Sequence, residues 1–402
     1  MSQAQPSAAP DGPIGVFVAF LRLGLTSFGG PVAHIVYFRE AFVTKRQWLG
    51  EAAYADLVAL CQFLPGPASS QVGIGLGLMR AGIPGAFAAW LGFTLPSVVL
   101  MTAFAFGAPA MTGTFGSGWL GGLMAAVVAV VGQAVWLMAR TLCPDAPRLV
   151  LAAVGGGVAL SIPGPAGQMA AIGLGALAGL TFGLGSGAGE GAPAPVSVSR
   201  RTGFACLVIF VVLLAGLPLL AAAWPTDLFR VVDGFFRSGA LVFGGGHVML
   251  PLLQGAMVEP GWVAADAFIA GYGAAQAVPG PLSSFAAYLG ATMTAPPGGI
   301  TGAILGTVAI FAPSFLLVIG AVPFWAALRA HTRISHAFAG INAAVVGLLL
   351  AALWNPVIST GIRDWPDVVL AALALVALQF LKWPSWAVVG LAALGGWGIT
   401  QI

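Results

Sequence analysis

Two arginines, Arg22 and Arg237, stand inside otherwise apolar stretches, each with six residues between it and a glycine run, Gly29-Gly30-Pro31 or Gly244-Gly245-Gly246. A charge at the centre of a membrane helix costs about 2.5–3.5 kcal/mol on insertion scales, so such residues mark functional positions unless they snorkel or pair. A guanidinium offers a planar fork that suits a tetrahedral oxyanion; pairing with Asp56, Asp233 or Asp266 is the competing account. His34 and His247 follow the glycine runs as candidate donors or proton-coupling groups. Two further breaks, Pro65-Gly66-Pro67 and Pro279-Gly280-Pro281, are preceded by Gln62 and Gln276 and followed by Ser69-Ser70 and Ser283-Ser284. Breaks at membrane depth leave backbone groups unpaired, which is tolerated only where they are buried in protein or line a cavity. Helix N-termini at such breaks aim N–H groups and a positive dipole end into the gap, a cradle for an oxyanion. Ser27, Gly29, Gly30, Gly66, Gly244, Gly245, Gly246, Gly280 and the four serines would line it, with the prolines at first helical positions. Close helix packing is the simpler account of any one small-residue break.

Other chemistries find little support. There is no HExxH, no GxSxG and no carboxylate cluster at metal-ligand spacing, which leaves an intramembrane enzyme using Asp56 and His34 as a distant alternative. Only two lysines occur, Lys45 and Lys382, and neither completes a phosphate-binding G-K-[ST] loop, so transport would be driven by gradients or membrane potential. Cys61, Cys143 and Cys206 lie far apart, without CxxC spacing. No cofactor or metal is expected. The net charge of +3 and pI near 9.0 reflect loops beside a lipid bilayer rather than a nucleic-acid surface.

The elements that must position these residues follow from composition. Of 402 residues 59% are hydrophobic and 7% charged, against about 25% in a soluble domain, and mean hydropathy is +0.98. The fold class expected is an all-α polytopic membrane protein. The chain also repeats itself: Trp48 to Met79 aligns without a gap on Trp262 to Met293, Pro96-Ser97 matches Pro313-Ser314, and Ala125-Ala-Val-Val128 matches Ala343-Ala-Val-Val346. The expected layout is a disordered tail (1–13), a first repeat (14–186), a linker (187–201), a linking transmembrane helix (202–226) and a second repeat (227–402). Apolar elements fall near 14–43, 52–79, 83–107, 117–142, 147–162 and 166–185, and near 228–258, 265–294, 298–325, 335–354, 366–382 and 384–402. The extra helix between the repeats, near 203–224, reverses the second and gives inverted topology. Asn342 is expected to hydrogen-bond between helices, and Trp224, Trp262, Trp354, Trp365 and Trp383 to form an interfacial belt.

Flanking charge bears on whether the four broken elements span or re-enter. If all span, lysines and arginines divide eight to five; if the broken ones re-enter, eleven to two, which favours re-entrance with the N-terminus cytoplasmic and the C-terminus outside.

Leu23-Gly-Leu-Thr-Ser-Phe-Gly-Gly-Pro-Val-Ala-His34, Tyr37-Phe-Arg39 and Gln62-Phe-Leu-Pro-Gly-Pro67 together resemble the chromate transporter family. Phe243-Gly-Gly-Gly-His247, Pro251 and Gln276-Ala-Val-Pro-Gly-Pro281 are similar to its second-half signatures, and the resemblance covers nearly the whole chain. It implies an inner-membrane exporter of chromate that confers resistance, with sulfate or another tetrahedral oxyanion as the alternative substrate. A homo-oligomer and a passive anion channel are left open. Cysteine accessibility tests the topology: the 44–51 and 255–262 loops should label from opposite sides, the first from the cytoplasm, and labelling from one side would refute inversion.

Overall fold

A computed structural model describes residues 12–162, 164–184, 198–329 and 331–401. The expected tail lies outside these residues except for Gly12 and Pro13, and the linker except for its last four positions, where Arg200 and Arg201 already belong to a helix. The described chain is helical, without strands. The first half contains α1 (Pro13–Thr26), α2 (Gly30–Phe38), α3 (Glu51–Phe63), α4 (Ala68–Phe115), α5 (Gly118–Leu142), α6 (Ala146–Ser161) and α7 (Pro165–Phe182). After α8 (Arg200–Ala223) come α9 (Asp227–Ala240), α10 (Met249–Leu253), α11 (Ala265–Ala277), α12 (Phe285–Thr292) and α13 (Gly299–Ala321). The chain ends with α14 (Trp325–Arg329), α15 (Thr332–Ala352), α16 (Ser359–Gly361), α17 (Trp365–Gln379) and α18 (Ser385–Ile399).

Among the described residues, six helical stretches are long and apolar enough to cross a membrane: 68–115, 118–142, 165–182, 200–223, 299–328 and 332–361. The protein is an all-α polytopic membrane protein. The 48 residues of α4 would make a rod of about 72 Å, more than twice a bilayer core of about 30 Å, but the helix turns back at Ala81 and Gly82, where φ/ψ leave the helical region. By contrast α1 (14 residues) and α3 (13 residues) reach only about 20 Å each, so the breaks separate half-length helices. The most apolar stretch is α8, with mean hydropathy 2.9, and Phe204, Val211, Val212 and Leu219 on it are exposed, as a lipid-facing helix requires. Trp224, Trp354, Trp365 and Trp383 are exposed at element ends, whereas Trp262 is half-buried and lines a cavity.

The two halves are interlaced. The last helices of the first half, α6 and α7, pack on α15 of the second, while α17 and α18 of the second pack on α5 of the first. Lipid tails are as apolar as leucine, so these contacts depend on close backbone approach at small residues. A Cβ on Gly122 of α5 would sit 1.9 Å from Ala392 O of α18, and one on Gly347 of α15 would sit 1.9 Å from Ala152 O of α6. Nothing lies within 4 Å of a Cβ on Gly132. Gly122→Ala and Gly347→Ala should each destabilise the protein by about 1–3 kcal/mol or more. Gly132→Ala should be neutral or stabilising in thermal unfolding in detergent; equal midpoints for all three would refute this packing.

Candidate functional site

The four breaks are joined in pairs, and each pair crosses from one half of the chain to the other. Gly66 N–H donates to Val242 O at 2.6 Å, and Gly280 N–H donates to Ser27 O at 2.9 Å. Ser27 and Val242 hold corresponding positions before their glycine runs, and Gly66 and Gly280 correspond within their Pro-Gly-Pro breaks. Both glycines lie in the left-handed region, with φ of 127° and 101°. A Cβ on Gly66 would meet Ser314 Oγ at 3.3 Å, and one on Gly280 would meet Ser97 Oγ at 3.0 Å. Ser97 and Ser314 are themselves repeat partners, so each break also lies against a serine of the opposite half.

Around the Ser27–Gly280 bond the expected residues converge. His34 is fully buried in α2; its Nε2 lies 3.2 Å from Ser27 O and its Nδ1 3.4 Å from Ser69 Oγ, with its ring edge-on to Phe93 at 5.1 Å. Gly29 caps α2 and Gly30 begins it. Pro67 caps α4, one position before the helix, which puts Ser69 and Ser70 in its first turn. In the second half Pro281 caps a short 3-10 turn, Leu282–Ser284, and the buried Ser283 and Ser284 belong to this turn rather than to an α-helix. Likewise Gly246 and His247 form a 3-10 turn before the five-residue α10, and His247 Nδ1 lies 2.7 Å from the buried Tyr272 hydroxyl. Several buried polar atoms on these segments have no hydrogen-bond partner among the described residues: Ser27 Oγ, Ser70 Oγ, Thr94 Oγ1, Ser314 Oγ, Gln71 Oε1 and Gln276 Nε2.

The two arginines are not brought together. Arg237 forms an ion pair with Asp233 at 2.5 Å and lines a cavity of about 510 Å³ with Arg230, Leu241, Glu259 and Gln168. Arg22 is exposed on α1 and does not line this cavity. Desolvation raises the Glu259 carboxyl above its ordinary pKa, against a hydrogen bond from the Gly164 backbone that lowers it. Gln62 is exposed at the end of α3 and, with Gly244, lines a separate cavity of about 240 Å³. Asp56 is buried in α3 and accepts from Trp325 Nε1 at 3.0 Å, whereas His34 contacts Ser27 and Ser69.

The chromate transporter family model matches the chain twice, over residues 14–180 and 229–397. The chain belongs to the chromate transporter family. It is 29% identical to a chromate transport protein of Pseudomonas aeruginosa, covering 95% of this chain and 91% of that protein. It is 28% identical to a chromate transport protein of Cupriavidus metallidurans (94% and 90%) and 27% identical to a probable chromate transport protein of Synechococcus elongatus (94% and 93%). No solved structure matches it.

Within this chromate transporter family member, residue-type reasoning passed over Gln71, Thr94, Ser97 and Ser314. The repeat alignment already contained Ser97 and Ser314, each beside a mid-helix proline, and that pairing was the available signal. Gln71 is fully buried and donates from Nε2 to Pro65 O at 2.7 Å, holding the first break from within its own half. Gly280→Ala should lose about 1–2 kcal/mol from left-handed strain alone, more with the Ser97 contact, and should lower the thermal midpoint together with activity. Wild-type stability in that variant would show that the crossed bond is dispensable.

Proposed function

We propose that the protein is a secondary active transporter that moves chromate outward across the inner membrane. On this reading the oxyanion is held among the helix starts at the crossed breaks. The carrying observation is the set of buried hydroxyl donors without a hydrogen-bond partner among the described residues at or near those breaks: Ser27, Ser70, Thr94 and Ser314. Each such group costs about 1–3 kcal/mol unless something hydrogen-bonds it. An oxyanion at the starts of α2 and α4 would accept from hydroxyls and backbone N–H groups together. The relatives named as chromate transport proteins supply the substrate class.

Inverted topology is part of the proposal, with the broken elements re-entering and the N-terminus cytoplasmic. It is supported by the crossed bonds between corresponding positions and by the exchange of α6–α7 for α17–α18 across the halves. A divalent anion leaving a cell that is negative inside gains about 4.6 kcal/mol per 100 mV, so the potential alone could drive export. Arg237 has the position of an access-cavity residue, while the exposure of Arg22 gives it no role at the breaks.

Protein in vesicles should accumulate labelled chromate when the potential favours anion entry, and an ionophore that collapses the potential should stop it. Ser70→Ala and Ser314→Ala should each slow transport by about tenfold with thermal midpoints unchanged, since neither hydroxyl loses a protein partner. Arg237→Ala should also slow it and Arg22→Ala should not. Vesicles that move sulfate but not chromate would replace the substrate, and vesicles that move neither would overturn the reading.

A further inference from the structure

The break between α9 and α10 lies between two cavities. Leu241 faces the Arg237 cavity, while Phe243 and Gly244 line the smaller cavity of about 240 Å³. The smaller cavity includes Arg148, near the start of α6. The Arg237 cavity includes Pro165 and Gln168, at the start of α7 just beyond the far end of α6. The 16 residues of α6 rise about 24 Å, so the two cavities open at opposite ends of that helix, with the break between them.

Arg148 is the one charged residue in the lining of the smaller cavity, where it joins Asn342, Gln62 and the Gly244 backbone. Its side chain is 21% exposed and forms an ion pair with Asp145, whose Oδ2 lies 3.5 Å from Nε, while Nε makes no hydrogen bond among the described residues. A basic residue in the first turn of a helix opposes the helix dipole, and an acidic one is the favoured choice. The second half makes that favoured choice. Asp145-Ala-Pro-Arg148 corresponds to Asp364-Trp-Pro-Asp367, and in both the first aspartate accepts the backbone N–H three residues on, at 3.1 and 3.3 Å. The two helix starts are alike, yet one carries Arg148 and the other a buried Asp367 bonded to Arg363. Asn342 has Met124 as its counterpart. The counterparts of Ser335, Phe338 and Asn342, namely Ser117, Leu120 and Met124, line a cavity of about 810 Å³ with Arg363 and Asp266, so the equivalent place is also cationic but carries a lining carboxylate that the smaller cavity lacks.

We propose that the cavity of Arg148, Asn342 and Gln62 is an anion-binding vestibule that delivers a tetrahedral oxyanion to the Phe243–Gly244 break from one face of the membrane. This rests on the transport reading above, which makes that face cytoplasmic. The guanidinium supplies charge and paired donors, the Asn342 and Gln62 amides supply neutral donors, and the α6 N-terminus adds its positive end. In the opposite half Arg363 is bonded to Asp367 and shares its cavity with Asp266, so the guanidinium there is balanced by carboxylates and the two places differ in charge.

The test uses full-length protein in vesicles with the cytoplasmic face outward and chromate as the probe. Arg148→Gln keeps the Asp145 cap on the backbone N–H and loses the 3.5 Å ion pair, and Asn342→Met installs the residue the other half uses. Each should raise KM about tenfold with Vmax and thermal midpoint near wild type, and Arg148→Lys should fall between. In vesicles of opposite orientation the variants should match wild type. An unchanged KM, or a fall in Vmax without a rise in KM, would overturn the vestibule while wild-type transport stands. Wild-type vesicles that carry no oxyanion would overturn the transport reading itself.

Discussion

Two hydrogen bonds constrain everything else: Gly66 N–H to Val242 O and Gly280 N–H to Ser27 O. At membrane depth an unpaired backbone group costs several kcal/mol, and a chain broken four times has many such groups. Each half supplies a donor to one bond and an acceptor to the other, so each half completes the breaks of its partner in addition to contacts such as Gln71 to Pro65 O within one half. Only glycine fits easily at the two donor positions, where φ is positive and a serine of the other half stands within contact of the missing Cβ. The sequence pattern Pro-Gly-Pro is therefore a statement about a contact over 170 residues away, not only about a local turn.

The same dependence of one half on the other governs the packing. Because α6 and α7 cover α15 while α17 and α18 cover α5, each half lacks a complete core until the other is in place. Hydrophobicity does little to hold helices together in lipid, so the interlock relies on fit, and backbone oxygens of Ala152 and Ala392 come against Gly347 and Gly122. The abundance of glycine, 58 of 402 residues, thus serves two purposes: freedom of conformation at the breaks and absence of volume at the crossings.

Much of this was legible in the sequence, for definite physical reasons. Apolar runs and Gly/Pro breaks are local signals, so the helices and the breaks could be located from residues alone. The clustering of His34, Ser27 and Ser69 was anticipated because all three flank breaks. What escaped was set by rotation about a helix axis, which composition does not record. Arg22 and Arg237 occupy equivalent sequence positions, but the first is exposed and the second is paired with Asp233 beside a cavity. In sequence Arg148 is only one of the flanking basic residues of the charge count, and Asn342 is an isolated polar group in a span, because nothing near either reveals that both line the cavity against Gly244. Gln71 was hidden because its partner is a carbonyl within the break itself.

Duplication preserves the frame, and chemistry enters where the copies diverge. An ideal two-fold site would present the same groups to both faces of the membrane and would favour neither direction. The shared features are the crossed bonds and the Ser97/Ser314 pair, and they hold the two halves together at the breaks. The unshared ones are Arg148 against Asp367, Asn342 against Met124 and Asp233 against Val18, and they distinguish one half from the other. With only 27 charged residues in the chain, the field of the cavity of about 240 Å³ depends on few groups: Arg148 is the charged residue of its lining and Asp145, outside the lining, is its ion-pair partner. Scarcity of charge makes each such exchange count: at otherwise equivalent helix starts Arg148 pairs with Asp145 while Asp367 pairs with Arg363, so the first turn carries a cation in one half and an anion in the other.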